Sequence, residues 1–224
     1  GVECCSWSLP FLPAVVLANQ HILGQAMALL LFSSESLRTP RFATRSFFDK
    51  LSDLYIRIVD KYFECFPQID VITLHDDWGS QLNTFFSPET AEEMIVPYMR
   101  KLTDFIHAKG KYADLHSCGN NIKQVPNMIK AGFDSWTPQA MNDIEKIYDL
   151  YGDEIIISTM PEKYDVAAST EEEQRAQARA YANRYCRPDK PSTLNLYAMS
   201  GTEDLLTRAF REELYKQSRI NYGG

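Results

Sequence analysis

Hydrophobic and polar positions along the chain follow two alternating periods. From Phe47 to Phe66 apolar residues recur at 47, 48, 51, 54, 55, 58, 59, 62, 63 and 66, a helical spacing with a wide apolar face. Val71–Leu74 is a short β-branched run, which predicts a strand near 71–75 that opens into a loop at Asp76, Asp77, Trp78 and Gly79. Ser87, Pro88 and Glu89 then supply an N-cap, a first-turn proline and an acid for a helix running to about Lys109, where Gly110 stops it. The same alternation continues to the end of the chain. Strands are predicted near 112–116, 134–137, 155–158 and 193–197. Helices are predicted over about 122–131, 143–151, 169–185 and 203–218. Residues 1–13, with Pro10 and Pro13, read as a loop, and 14–32 as a buried helix.

Strands that alternate with helices at least five times are the pattern of βα units around a parallel sheet. Neither a GxGxxG turn after a strand nor a phosphate-binding glycine loop is present, so a nucleotide-binding doubly wound sheet has no support. A (β/α)8 TIM-type barrel fits better. Whole barrels run to about 250 residues, and with five clear strands in 224 residues this chain is expected to lack the N-terminal strands of one. It begins at Gly1 rather than methionine, and a processed, tagged or missing N-terminus is expected. The whole of 1–224 is read as one domain.

Composition narrows the functional classes. A net charge of −7 with no basic cluster on one predicted face argues against nucleic acid. Val15–Phe32 is apolar but interrupted by Asn19, Gln20, His21 and Gln25, short of the continuous run that a membrane span wants. No signal peptide is visible. The five cysteines, Cys4, Cys5, Cys65, Cys118 and Cys186, are odd in number and scattered, which is not a disulfide framework. A cytoplasmic location is expected.

The chemistry collects at strand ends. Residues two apart on a strand share a face. Val71, Thr73, His75 and Asp77 form one such set, and Tyr112, Asp114, His116 and Cys118 another. Ser135, Thr137 and Gln139 form a third. His116 and Cys118 are an imidazole and a thiol side by side, two good zinc ligands, where a strand opens into Gly119, Asn120 and Asn121. An isolated pair of this kind is more often buried and inert than metal-binding. Asp76 and Asp77 can act as a general base, a metal ligand or an anchor for a cation, or one can cap the turn while the other is solvated. His21 and His75 read as structural, and His107 as a favourable charge near a helix C-terminus.

The ordered set HDDWGSQ, FFSPE, HSCGNN, AGFDSWTPQ and YGDEIII resembles the uroporphyrinogen decarboxylase-like superfamily over about Phe47–Ser158. It looks most like the corrinoid-dependent methyltransferases, the methylcobamide:coenzyme M type and the O-demethylases. The resemblance implies a (β/α)8 barrel with zinc held by an HxC pair, here His116 and Cys118, and by a later cysteine. Zinc would activate a thiol toward a methylated corrinoid co-substrate, or a methyl ether would donate to a corrinoid-binding protein. Departures are plain: Ser192–Gly201 has no cysteine, Cys186 lies before it, and Thr159-Met160-Pro161 stands in place of a glycine-rich motif. Asp77 is the better geometric candidate for the third ligand, which makes a labile site. Asp77 and His116 are the candidate catalytic residues. Asp76, Trp78, Gln81, Asn120, Gln139 and Tyr197 are candidate contacts to a small-molecule substrate. The alternatives are a tetrapyrrole decarboxylase with Asp77 as its central acid, although its N-terminal arginine-rich segment is not found, and a degenerate barrel that only binds a ligand.

Overall fold

The computed structural model describes residues 16–18, 41–194 and 205–224. They fall into two compact units, one ending at Asn142 and one beginning at Asp143.

The first unit carries four strands, β1 (Val16–Ala18), β2 (Val71–His75), β3 (Tyr112–His116) and β4 (Ser135–Thr137), each parallel to the next. Its helices are α1 (Arg41–Cys65), α2 (Pro88–Met94), α3 (Val96–Ala108) and α4 (Val125–Lys130), the last entered through a 3-10 turn at Ile122–Gln124. The strands bury one face. Ile72, Leu74, Ala113, Leu115 and Trp136 are fully inaccessible. Helix α1 packs Phe48 and Val59 inward, with Phe48 against Tyr98 of α3, and leaves Phe47, Leu54 and Ile58 exposed. The wide apolar face read from its spacing is therefore buried along one stripe only.

The second unit contains α5 (Ile144–Tyr151), β5 (Ile156–Thr159), α6 (Glu171–Tyr185), β6 (Ser192–Leu194) and α7 (Arg208–Asn221), with β5 and β6 parallel. Helix α6 opens with a capping box between Thr170 and Glu173. Helix α7 lies along α6, where the nearly buried Glu213 receives Arg179 at 2.9 Å.

The α/β class and the parallel strands agree with the sequence pattern. Two element assignments do not. Val16–Ala18, read as part of a helix over 14–32, is a strand paired to Ile72–Leu74. A short apolar run looks the same in either periodicity, and the β-branched Val16 favours the extended form. The remainder of 14–32 lies outside the described residues. The helix from Ser87 to Lys109 is two helices, because Pro97 has no N–H to continue the ladder and the chain turns at Ile95. The outer part of the strand at 193–197 also lies outside the described residues.

Candidate active site

The in-register pairing of β2, β3 and β4 stacks polar side chains in layers on the face opposite the apolar core. Thr73, Asp114 and Ser135 align across the three strands, and His75, His116 and Thr137 form the next layer toward the C-terminal ends. Asp114 accepts a hydrogen bond from the Ser135 hydroxyl, and burial pushes its carboxyl above the usual carboxylate range. The His75 and His116 rings lie 4.8 Å apart between centroids. His75, read as structural, is thus a neighbour of the proposed ligand.

Beyond the strand ends the chain turns at Cys118–Asn121, and each backbone N–H there has a partner. Cys118 N donates to Asp77 Oδ1 at 3.0 Å and Gly119 N to Gln139 Oε1 at 2.8 Å. Asn120 N donates to the Ser80 carbonyl at 2.7 Å and Asn121 N to Asn142 Oδ1 at 2.9 Å. The buried Asn121 amide donates to Ser117 Oγ and to the Cys118 carbonyl, and Asn142 Nδ2 donates to the Gly119 carbonyl. Three loops are tied together in this way. Gly119 is required: its φ is +94°, and a Cβ there would fall 2.3 Å from the Gly79 carbonyl carbon and oxygen.

Cys118 Sγ lies 3.6 Å from His116 Nε2. Two ligands at about 2.0 and 2.3 Å from one tetrahedral zinc are about 3.5 Å apart, so the pair fits two corners of such a site. Burial and the adjacent Asp77 carboxylate push the Cys118 thiol up to about 11. A bound divalent cation reverses that preference. Among the described residues, however, no group of three His, Cys, Asp or Glu side chains is arranged to hold a metal ion. Asp77 therefore does not complete a three-ligand set here; one of its oxygens holds the Cys118 backbone.

The candidate substrate contacts divide. Asp76 is 1% exposed and Trp78 0%, and Trp78 Nε1 donates to Asp76 Oδ2 at 2.9 Å. Burial, and after it the charge of Asp76, raises the hydroxyl pKa of Tyr55 on α1, so this carboxylate lies near that helix. Both residues are buried, and the indole of Trp78 braces the carboxylate of Asp76. Gln81 is exposed on the loop and makes no hydrogen bond to a described residue, so it is not part of the tied cluster. Asn120 enters the cluster through its backbone, and Gln139 through both ends of its amide. Tyr197 lies outside the described residues. Ser117, Asn121 and Asn142 were missed. Ser117 and Asn121 flank the HxC pair, so its neighbourhood was the available signal.

Polar groups at the C-terminal ends of parallel strands define the class of α/β proteins that bind ligands there. Within that class the chain belongs to the uroporphyrinogen decarboxylase (URO-D) family, whose profile matches residues 24–180. The fold is similar to a methyltransferase from Methanosarcina mazei, with 14% identity over 90% of this chain and 57% of that one and a TM-score of 0.41. The YdjI aldolase from Escherichia coli K12 shares 10% identity over 79% of this chain and 74% of that one, with a TM-score of 0.29. The chain thus spans 57% of the methyltransferase's length. No curated protein matches it. No helix among the described residues is long and apolar enough to cross a membrane.

Proposed function

We propose that the chain carries the active centre of a methyltransferase that moves a methyl group between a corrinoid and a thiol or methyl-ether substrate. The observation that carries this reading is the 3.6 Å approach of Cys118 Sγ to His116 Nε2 at the strand ends, with Asp77 on the same loop cluster. His116 Nε2 and Cys118 Sγ would hold zinc, with the remaining donors coming from elsewhere. Zinc supplies Lewis-acid stabilisation of a substrate thiolate at neutral pH. Asp77 fixes the Cys118 backbone and stands beside the sulfur, where its carboxylate can take the proton that a substrate thiol releases. The tied loops hold these groups in one geometry, which is what positioning contributes to catalysis. The loop from Cys118 to Asn121 has its backbone N–H groups already bonded, so it offers no cradle to a carboxylate or phosphate at that spot.

A second reading, decarboxylation of a tetrapyrrole, is favoured by the family match and by the position of Asp77 at the strand end. One set of assays separates the two. Zinc content after incubation should approach about one ion per chain, and His116→Ala and Cys118→Ser should each abolish both zinc and thiol methylation from methylcobalamin. Porphyrinogen turnover that survives both substitutions would overturn the methyltransferase reading.

A further inference from the structure

We infer that Gln139 is a positioning residue that holds the Cys118 sulfur, rather than a contact to substrate. The inference rests on the His116–Cys118 reading above and adds the group that presents the sulfur to a metal. Gln139 lies two residues beyond β4, on the face shared with Ser135 and Thr137. Its Oε1 accepts the Gly119 N–H at 2.8 Å, and its Nε2 lies 3.4 Å from Cys118 Sγ. The two contacts settle the orientation of the amide. A backbone N–H is satisfied only by the oxygen, so the nitrogen and its hydrogens face the sulfur. Flipping the amide would set two donors against each other and leave the sulfur facing an acceptor.

Gln139 is also anchored by its backbone. Its carbonyl accepts from both the backbone N–H and the side-chain Nδ2 of Asn142, each at 3.0 Å. Asn142 in turn receives the Asn121 N–H and donates to the Gly119 carbonyl. The amide is therefore held from β4, and the turn that it meets is held from β3. An N–H donor aimed at the sulfur orients it, and outer groups of this kind typically change metal affinity 10–100-fold. Gln139 thus ties the Cys118 sulfur and the Gly119 N–H to one amide, which fixes where the sulfur points.

The test uses Gln139→Leu, similar in size but without a donor, with zinc and cobalt(II) as probes. Zinc affinity should fall about tenfold or more, and the sulfur-to-cobalt charge-transfer band should move to lower energy, which a loss of stability alone would not produce. If wild type and Gln139→Leu bind zinc equally and show the same cobalt band, the inference is overturned while the His116–Cys118 reading stands. If wild type takes up neither metal, that reading fails instead, and the metal-free protein decides this one. The Gln139 side-chain amide protons, followed by NMR, should shift when Cys118→Ala removes the sulfur. Unchanged shifts overturn the inference, and this arm also serves if Gln139→Leu does not fold.

Discussion

The two compact units use their polar side chains in opposite ways. In the unit ending at Asn142, polar groups past the strand ends bind loop backbone: Asp77, Gln139, Asn121 and Asn142 each hold a main-chain group of the HSCGNN turn. In the unit beginning at Asp143, they join one element to another. Thr159 Oγ1 meets Tyr181 OH at 2.8 Å, Ser158 meets Thr193 at 2.7 Å, Tyr148 OH donates to the Lys190 carbonyl, and Arg179 donates to Glu213. The first arrangement fixes a geometry around a few atoms. The second fixes the packing of helices on strands. The difference teaches that substitutions of similar chemistry should fail differently in the two units.

The largest effect is expected at Gly119→Ala. The added carbon meets Gly79 backbone at 2.3 Å and the φ of +94° is already unfavourable to an L side chain. A loss of about 3 kcal/mol or more is expected in urea unfolding, together with zinc uptake. A variant as stable as wild type would mean that the two loops are not locked against each other. Next comes Asn121→Ala, which removes the donors to Ser117 Oγ and the Cys118 carbonyl. About 2–3 kcal/mol is expected from the unpaired buried groups, read by the same unfolding curve.

Asp77→Asn keeps an oxygen to accept the Cys118 N–H but loses the charge. Turnover should fall at least about tenfold with stability nearly unchanged, whereas Asp76→Asn should do the reverse, since Asp76 is buried and accepts the Trp78 indole N–H. Equal effects at the two positions would dissolve the contrast between the two neighbouring carboxylates.

The smallest effect is expected in the second unit. Arg179 holds the Glu213 carboxyl below the usual carboxylate range. A lowered folded pKa stabilises above the unfolded value and is lost as pH falls through the folded one. Glu213→Gln should therefore cost about 1 kcal/mol or less near neutrality and converge on wild type in acid, with zinc uptake unaffected. A variant with altered zinc uptake would couple the two units in function.

Much of this architecture is legible in the chain. The alternation of strands and helices is readable from the periods alone, and the N-cap signal at Ser87 stands where it was expected. The reading faltered where local pattern and tertiary demand part. Val16–Ala18 was too short for its periodicity to tell strand from helix. Asp76 and Asp77 look alike in the chain, yet Asp76 is buried on the Trp78 indole while Asp77 holds the Cys118 N–H.

The sequence by itself determined the βα order, the side-chain phase along each strand and the residue types at the strand ends, because these follow from periods of 2 and 3.6 and from local capping. Only the tertiary structure decided which loops meet. The register of β2, β3 and β4 brings Asp77 to Cys118, Gln139 to both Cys118 and Gly119, and Gly79 against Gly119. Those partners are separated by some 20 to 40 residues, and no local pattern encodes a distance between them. Strand pairing does, and with it the orientation of one amide and the reach of one carboxylate.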